Sequence, residues 1–445
     1  MASTPEPGAA GRRRSPLPEG TLSVAVGLVL GGIAQYAFLV VAGRALGATR
    51  ANPLSVFWSL IFVLGTGIFL PFEQVIGRAL SARRAHGEGG RPLVLRASVA
   101  GLALLSPLVV IGVVLHSWLA SVFFNGDALF VWAMLLGLAA FLAEFLGRGT
   151  LLGNAAFGRY GLLIGAEGGF RILLCAALAV AGVKVAGLYG FAFVVASLLA
   201  TLIAVSGRRG LLRPGPRASW SELSQALTYL LVASVCTQFL LSIGTAAVQV
   251  LATPSQHAAA SRFLATRIIA FIPIFLLQAV QAPLLSKLTV LHTERRFTEF
   301  RSALVQMLAV VLAFGGLAVA GLALLGPVAA RILFGGGFDL GNLDFALLGG
   351  ACAVFMVAQV LNQTLIALNG FPRATAGWVT GVVAFLVVTA LGSSLFLRVE
   401  LGLLAGAVAT VAVMVVLILP LLRREAVAAS RSGERVLSRP AVPEL

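Results

Sequence analysis

Long apolar runs recur along this chain of 445 residues, and they limit its fold more than any other feature. The hydrocarbon core of a bilayer is about 30 Å thick, so a helix needs roughly 20 apolar residues to cross it. A mean hydropathy of +1.01, with only 11% charged residues, lies outside the range of soluble domains. Barrel strands would alternate apolar and polar residues, whereas these runs are apolar on all sides. The sequence therefore predicts an all-α integral membrane protein.

Twelve transmembrane helices are predicted from the runs that charged residues, Gly or Pro interrupt. The first run is too long for the apolar part of a signal peptide and lacks a small-residue cleavage site, so we interpret it as a spanning helix. The predicted segments lie near 22–43, 54–77, 93–115, 128–147, 160–182, 186–206, 223–250, 259–285, 302–325, 343–367, 374–397 and 401–422.

Most cationic residues lie in alternate connections between these segments. One set of connections, together with the two ends of the chain, holds 24 Lys and Arg residues, whereas the other set holds 5. Cytoplasmic loops are enriched in Lys and Arg, so both termini are predicted to be cytoplasmic. The same bias accounts for the net charge of +16 without nucleic-acid binding. The scattered Cys and His residues have no ligand-like spacing, and no metal site or cofactor is predicted.

The two halves of the sequence resemble each other, which indicates a duplication. The segment "ALSARRAHGEGGRPLVLR" matches "LLSKLTVLHTERRFTEFR", with Ser81 and Ser286 at the same place 205 residues apart. The segment "LLGNAAFGRYG" resembles "IALNGFPRATAG", and this match pairs Asn154 with Asn369. We therefore predict two parallel six-helix repeats, an architecture in which transported substrates pass between the halves.

The predicted organisation of the chain follows from this repeat and from composition. The ends are rich in Pro, Ser and Arg and are predicted to be disordered. The predicted parts are a cytoplasmic N-terminus at 1–20, a six-helix lobe at 21–206, a cytoplasmic linker at 207–220, a second six-helix lobe at 221–422 and a cytoplasmic tail at 423–445.

The duplicated halves, the stretch "LPFEQVIGRALSARRAHGEG" and the turn "GNAAFGRYG" resemble the multidrug/oligosaccharidyl-lipid/polysaccharide (MOP) exporter superfamily. Within it, the chain is similar to bacterial polysaccharide biosynthesis proteins that flip undecaprenyl-linked oligosaccharides. The resemblance implies two bundles that open alternately to either face of the plasma membrane, with a central cavity for the sugar-phosphate head. Drug-exporting members often carry an acidic residue in the first helix, whereas this helix offers only Gln35.

Seven polar residues in the predicted spans are candidates for the substrate cavity. Gln278 and Gln281 follow Arg267 by 11 and 14 residues, so all three share one face of a helix. A guanidinium binds pyrophosphate oxygens through paired, charge-assisted hydrogen bonds, which suits the head of a lipid-linked sugar. The candidates are Arg267, Arg262, Gln278, Gln281, Glu73, Arg78 and Gln35.

Glu73 has two interpretations. It carries a coupling proton, because a low dielectric favours a neutral carboxyl, or it pairs with Arg78 while Arg78 extends to the lipid headgroups. Two further acid–base pairs are spaced four residues apart and are expected to neutralise each other along a helix. These pairs are Glu144 with Arg148 and Glu167 with Arg171.

Two functions therefore fit the sequence, and a third is disfavoured. The first is a flippase for a lipid-linked oligosaccharide, with membrane lipids and polysaccharide assembly enzymes as candidate partners. The second is a proton- or sodium-coupled antiporter of drugs or small metabolites, of the MATE type. A membrane enzyme would need a sizeable extracytoplasmic loop with catalytic residues, and the longest candidate, 326–342, offers only Arg331 and Asp339. No enzymatic activity and no catalytic residue are predicted.

Overall fold

A computed structural model describes residues 21–206, 210–217, 219–251, 263, 267, 270–334 and 341–437. The ordered elements of this part of the chain are helices. They are α1 (Thr21–Leu46), α2 (Ala48–Ala85), α3 (Arg91–Val114), α4 (His116–Phe123), α5 (Ala128–Gly153), α6 (Phe157–Val180), α7 (Ala186–Val205), α8 (Trp220–Leu251), α9 (Ile272–Thr293), α10 (Phe297–Phe334), α11 (Asn342–Ala367), α12 (Phe371–Leu391) and α13 (Leu395–Leu437).

The helices confirm a multi-pass membrane protein with about the predicted number of spans. Among the described residues, 11 helices are long and apolar enough to cross a bilayer. A bent pair within α9, Ile272–Gln278 and Val280–Thr293, makes a twelfth span if its two parts are counted as one. The short helix α4 lies between α3 and α5 and is too short to span.

Several predicted helix bounds are wrong. Helix α2 continues to Ala85, so most of the basic stretch predicted as a loop after position 77 is helical. The predicted span 374–397 is interrupted, because α12 ends at Leu391 and α13 begins at Leu395. The predicted span 259–285 lies partly outside the described residues, and α9 continues beyond it to Thr293.

The tail predicted to be disordered from position 423 is also helical in part, since α13 extends to Leu437. The segment "REAVAAS" within this extension consists mainly of Arg, Glu and Ala, which are strong helix formers, with one Val and one Ser. Low hydrophobicity ended the predicted membrane span correctly, but it did not end the helix. Low hydrophobicity alone is therefore a poor signal for disorder directly after an apolar helix.

Each half of the chain forms a packed group of helices, α1–α7 and α8–α13. In the N-terminal half, α1 and α6 touch backbone to backbone, because a Cβ on Gly27 would lie 2.2 Å from the carbonyl oxygen of Gly161. In the C-terminal half, a Cβ on Gly381 of α12 would lie 2.8 Å from the carbonyl oxygen of Gly406 of α13. Small residues bring helices together in this way where the lipid offers no hydrophobic driving force between them.

The two halves repeat the same local structure at an offset of 214 residues around α5 and α11. Both helices have 26 residues, and two positions after each helix end lies a non-Gly residue with positive φ, Ala155 at 53° and Asn369 at 58°. The hydroxyls of Thr150 and Thr364 each donate to the carbonyl four residues earlier. The predicted match of Asn154 with Asn369 is therefore wrong by one residue, because Asn369 occupies the left-handed position of Ala155.

The segment between the halves is attached to the N-terminal half. Arg83 Nη1 donates to the carbonyl of Pro216 at 2.9 Å, and the backbone N–H of Arg91 donates to the carbonyl of Arg213 at 3.0 Å. Gly89 is needed for this approach, since a Cβ there would lie 2.0 Å from the carbonyl oxygen of Pro214. The basic loop after α2 therefore holds the connection to α8.

The turn "GNAAFGRYG" has the same role on the other side of the connection. Asn154 Nδ2 donates to the carbonyl of Leu211 at 3.2 Å. Arg159 Nη1 donates to the carbonyls of Ala204 and Ser206, at 3.1 and 2.6 Å, and thereby caps the last turn of α7. These contacts explain two polar residues that the sequence repeat singled out.

Candidate functional site: a buried charge network and the contact between the halves

Glu73 lies inside the N-terminal half, where α2, α5 and α6 meet. Its side chain is only 6% exposed. The hydroxyl of Tyr160 donates to Glu73 Oε1 at 2.6 Å, and Arg148 Nε forms an ion pair with Glu73 Oε2 at 3.0 Å. Arg148 Nη2 also donates to the Tyr160 hydroxyl at 2.8 Å, which closes a three-membered network. The partner of Glu73 is therefore Arg148 and not Arg78, whose pairing with Glu73 was one of the two interpretations of the sequence.

The same guanidinium joins Glu73 to a second carboxylate. Arg148 Nη1 lies 3.4 Å from Glu144 Oε1, which is the contact expected from their spacing along α5. Ser197 of α7 donates to Glu144 Oε2 at 2.5 Å. Arg148 also lies over the rings of Phe145 and Tyr160, at 4.9 and 5.2 Å from their centroids. One arginine thus contacts two carboxylates and two aromatic rings.

A second ion pair lies further along α6. Arg171 and Glu167 are both buried and bond to each other across one turn, as their spacing predicts. The Arg171 guanidinium carbon lies 3.8 Å from the ring centroid of Phe193 and 5.7 Å from that of Phe62. Cation–π contact of this kind compensates in part for the loss of water around a buried guanidinium.

The ion-paired groups of the N-terminal half include one more carboxyl than guanidinium. Three carboxyls, Glu73, Glu144 and Glu167, lie with two guanidiniums, Arg148 and Arg171. With every group ionised this cluster by itself would carry one excess negative charge in a low-dielectric interior, which is unfavourable. A third buried guanidinium of this half, Arg78, lies outside the cluster at the contact with the C-terminal half. Binding one proton removes the excess charge of the cluster. The arrangement is thus chemically suited to take up and release a proton.

Several helices of the two halves are in contact, among them α2 with α8 and both α1 and α2 with α9. One group of these contacting side chains we call the seam: Arg78, Ser81 and Arg84 of α2, Ser286 of α9 and Phe371 of α12. The hydroxyls of Ser81 and Ser286 lie 3.0 Å apart. Arg84 Nη2 reaches Ser286 Oγ at 3.4 Å, and the guanidinium carbon of Arg78 lies 5.6 Å from the ring centroid of Phe371. The seam lies at the end of the bundle that holds most loop arginines, which we call the basic end.

Arg267 lies in the C-terminal half. It is 9% exposed, and its guanidinium carbon lies 4.8 Å from the ring centroid of Phe271. Gly244 of α8 leaves room for it, since a Cβ there would lie 3.3 Å from Arg267 Nε. Desolvated guanidiniums remain charged in proteins, so the C-terminal half buries a permanent cation.

The other predicted cavity residues are not brought together into one cluster. Gln278 is exposed at the bend of α9, whereas Gln281 and Gln35 are half-buried. Arg262 lies outside the described residues. Among the seven candidates, Glu73 joins the buried network, Arg78 joins the seam, and Arg267 is buried separately.

The C-terminal half buries amides in α11, in addition to several hydroxyls and the carboxyl of Glu400 in α13. Gln359, Asn362 and Gln363 of α11 are all buried. Asn362 Oδ1 accepts a hydrogen bond from Trp378 Nε1 of α12 at 3.1 Å. This is interhelical bonding of the kind that stabilises membrane bundles. It is one of the two interpretations that the sequence allows for this cluster, the other being contact with sugar.

Sequence reasoning missed the central members of the network. Arg148 was predicted only to neutralise Glu144, and Tyr160 and Ser197 were not singled out. A signal was present for Arg148, because it lies within the apolar run that forms α5. Nothing in the sequence indicates that Tyr160, 87 residues away, bonds to Glu73.

No family model matches the chain. Two proteins of Mycobacterium tuberculosis, both uncharacterized, are each 25% identical to it. The first match extends over 381 residues, covering 83% of this chain and 85% of that protein. The second extends over 424 residues, covering 92% of this chain and 94% of that protein.

Solved transporter structures share the fold. The MATE transporter VcmN of Vibrio cholerae in its bent form gives a TM-score of 0.75 at 15% identity, covering 92% of this chain and 98% of that chain. A MOP superfamily transporter of Pyrococcus furiosus gives a TM-score of 0.71 at 16% identity, and the match covers 92% of this chain and 95% of that chain. The reverse polarity of its binding pocket is described as suggesting a different function for that transporter. A multidrug resistance transporter of the MATE family and MOP superfamily, in an outward-facing conformation, gives a TM-score of 0.71 at 17% identity. The match covers 93% of this chain and 98% of that chain. The chain thus has the fold of MATE transporters.

Proposed function

We propose that this protein is an alternating-access exporter in the bacterial plasma membrane that flips an undecaprenyl-diphosphate-linked oligosaccharide for cell-surface polysaccharide synthesis. The observation that carries the proposal is the pair of buried arginines outside the charge network: Arg78 at the seam and Arg267 in the C-terminal half. A carrier for cationic drugs would gain nothing from cations in these places. A diphosphate head binds guanidiniums through paired hydrogen bonds.

The orientation expected from the distribution of Lys and Arg supports the same proposal. With its basic end in the cytoplasm, the protein would present Arg78 and Arg84 to a lipid made on the inner leaflet. Neutral substrates would have no such preference. The P. furiosus transporter, which has the same fold, has a binding pocket of reverse polarity. The polarity of the binding pocket therefore varies among proteins of this architecture.

The network around Glu73 supplies a coupling element. Its three carboxyls and two guanidiniums favour uptake of one proton. Protonation of Glu73 would weaken its ion pair with Arg148, at the point where α2 contacts α5 and α6. Because α2 also carries the seam residues, a change at Glu73 would be transmitted along one helix to the contact between the halves.

The second candidate is a proton- or sodium-coupled drug or metabolite antiporter. The fold neighbours favour it as much as they favour a flippase, since they include MATE transporters. The charge network fits it equally. The two candidates differ in the charge of the substrate, so substrate charge is the property to test.

The test uses the protein in liposomes and a fluorescent undecaprenyl-diphosphate oligosaccharide placed in one leaflet. Transfer to the other leaflet is followed by quenching with a membrane-impermeant reductant. We expect transfer to be faster than in protein-free vesicles and to fall about tenfold or more in Arg267→Ala, as removal of a charged hydrogen-bond partner predicts. Arg296→Ala is the matched control, because Arg296 lies in the α9–α10 connection and its side chain bonds to Glu294 and Glu299 in the described contacts.

Exchange of small cations against protons, with no movement of the lipid, would replace the flippase by the antiporter. A flippase in which Arg267→Ala and Arg296→Ala transfer lipid equally well would remove Arg267 from the substrate path. Retention of the thermal unfolding temperature in Arg267→Ala separates loss of transport from loss of folding.

A further inference from the structure

We infer that Ser81, Ser286 and Arg84 form a gate at the basic end of the bundle, and that a diphosphate group opens this gate by binding Arg84. The inference rests on the proposed function and extends it to residues that the substrate meets on entry. It describes how the diphosphate group of the substrate would change the contact between α2 and α9.

The first argument is the position of the two serines. Ser286 is the residue that the sequence repeat aligns with Ser81, and their hydroxyls lie 3.0 Å apart in a buried contact. The turns that end α2 and α9 match at a slightly different offset, 208 residues, with Gly87 and Arg295 in the left-handed region. The two serines therefore lie on corresponding helices, within one turn of exact equivalence, and their contact joins α2 to α9 at the basic end. Any opening between the halves at this end must separate these hydroxyls.

The second argument is the chemistry of the closed contact. Ser81 and Ser286 are small and uncharged, so their hydrogen bond is a neutral one that is easily replaced by water. Their small size also lets α2 and α9 approach closely. The contact therefore closes the basic end without holding it closed strongly, as a gate that opens in each transport cycle requires.

The third argument is the position of Arg84. It is exposed at the edge of the seam, and its Nη2 atom reaches Ser286 Oγ at 3.4 Å, a long hydrogen bond to a neutral acceptor. Hydrogen bonds between a guanidinium and phosphate oxygens are shorter and about twice as strong as bonds to neutral groups. A diphosphate at the edge of the seam would therefore take Arg84 away from Ser286, which removes one of the contacts that close the gate.

Arg83 provides an internal comparison. It is the neighbour of Arg84 in sequence and has the same charge, but its Nη1 atom donates to the carbonyls of Pro216 and Gly89. Arg83 thus holds the connection between the halves on the N-terminal half. It makes no contact with α9 among those described, so the gate should not depend on it.

The experiment measures cross-linking of the double variant Ser81→Cys/Ser286→Cys in liposomes. Copper phenanthroline oxidises the pair, and mass spectrometry quantifies the disulfide-linked peptides against time. Three vesicle conditions are compared: undecaprenyl diphosphate in the membrane, uncharged undecaprenol in the membrane, and inorganic pyrophosphate in the medium. Ser81→Cys alone and Ser286→Cys alone are the single-substitution controls. They report any disulfides that the new cysteines form with Cys175, Cys236 or Cys352, the native free cysteines.

We expect rapid cross-linking without diphosphate and about fivefold slower cross-linking with undecaprenyl diphosphate, a typical size for coupling between a ligand and a conformational equilibrium. Undecaprenol should have no effect. Adding Arg84→Gln should abolish the slowing, whereas adding Arg83→Gln should retain it. Slowing by pyrophosphate alone would support recognition of the same group from a soluble source.

If the double variant formed disulfides no faster than the two single-substitution controls, the gate would be overturned. Equal slowing in Arg84→Gln and in the parent pair would overturn the role of Arg84. Transfer of the fluorescent lipid is measured on the same reduced vesicles. Transfer without an effect of diphosphate on cross-linking rejects the gate and retains the flippase, whereas the opposite result retains the gate and rejects the flippase.

Discussion

The N-terminal and C-terminal halves share their backbone design but bury different chemistry. The first half encloses carboxylates and guanidiniums bonded to each other. Among its described residues, the second encloses amides and hydroxyls together with Arg267 and Glu400, and no ion pair between those two charged groups is seen. At the structural offset of 214 residues, Arg148 corresponds to Asn362, Glu144 to Ala358, Glu167 to Gly381 and Arg171 to Phe385. At the offset of 205 residues that aligns the seam serines, Glu73 corresponds to Gln278.

This difference separates what duplication preserves from what it leaves free. The helix lengths, the left-handed turn after α5 and α11 and the hydroxyls of Thr150 and Thr364 are the same in both halves, because they fix the backbone. The charged positions are not needed for that backbone, since the C-terminal half forms it without them. The shared backbone therefore does not require the ion network, which supports the proposed role of the network in proton coupling.

The largest effect is expected from Arg148→Ala. It would leave Glu73 and Glu144 without their cation in a buried site, which costs about 3–5 kcal/mol when one partner of a buried pair is removed. The repeat-related change Asn362→Ala removes one acceptor from Trp378 and should cost about 1–3 kcal/mol. The unfolding temperature in detergent checks both.

Adding Glu73→Gln to Arg148→Ala is the control for that prediction. It removes one of the two uncompensated charges, so the double variant should be more stable than Arg148→Ala alone, as coupled sites are not additive. Equal losses from Arg148→Ala and Asn362→Ala would contradict the proposed difference between the halves.

A smaller loss is expected where the halves are alike. Gly27→Ala places a methyl group against the backbone of Gly161, so α1 and α6 must separate at a cost of about 1–3 kcal/mol. Gly381→Ala should behave similarly in the C-terminal half, because its Cβ would approach the backbone of Gly406.

Gly32→Ala is the matched control, since nothing lies within 4 Å of a Cβ at that position. It should be neutral or slightly stabilising because Ala has the higher helix propensity. Equal unfolding temperatures for Gly27→Ala and Gly32→Ala would show that α1 and α6 are not in close contact.

Tyr160→Phe should cost about 1 kcal/mol, the net value of a typical hydrogen bond. The change removes only the hydroxyl between Arg148 and Glu73 and retains the ring beneath the guanidinium. A double-variant cycle with Glu73→Gln measures the coupling of the two groups. A coupling energy near zero would indicate that the hydroxyl and the carboxyl do not interact.

The smallest effect is expected from Gln278→Glu, which gives the C-terminal half the side chain of its repeat mate Glu73. Gln278 is exposed at the bend of α9, so a charge there should change stability by less than about 0.5 kcal/mol if the residue faces water. A loss of about 2.5 kcal/mol or more would place Gln278 against lipid instead.

The sequence was sufficient for the membrane class, the number of spans and the repeat, since these depend on run length and local pattern. The ends of the helices were predicted less accurately from charged residues than the number of spans was from apolar runs. Arg78, Arg83 and Arg84 lie within α2, because a helix can continue past the apolar region when its residues favour helix. The pairing of Ser81 with Ser286 as repeat mates was predicted, but their contact was not.

The candidate site was predicted only in part, for a physical reason. Spacing along one helix identifies partners such as Glu144 and Arg148, which lie one turn apart. It cannot identify partners on different helices, and Glu73 is bound by Arg148 and Tyr160 from α5 and α6. Such contacts depend on how each helix is oriented about its own axis, and this orientation is set by the packing of the whole bundle.

The most direct test is the rate of lipid transfer under an imposed pH gradient. Liposomes containing the fluorescent undecaprenyl-diphosphate oligosaccharide are prepared with the wild-type protein or with Glu73→Gln, and transfer is measured with and without the gradient. We expect the gradient to accelerate transfer severalfold in the wild type and to have no effect in Glu73→Gln, whose neutral side chain cannot exchange a proton. Acceleration of equal size in both proteins would contradict the assignment of proton coupling to the N-terminal half.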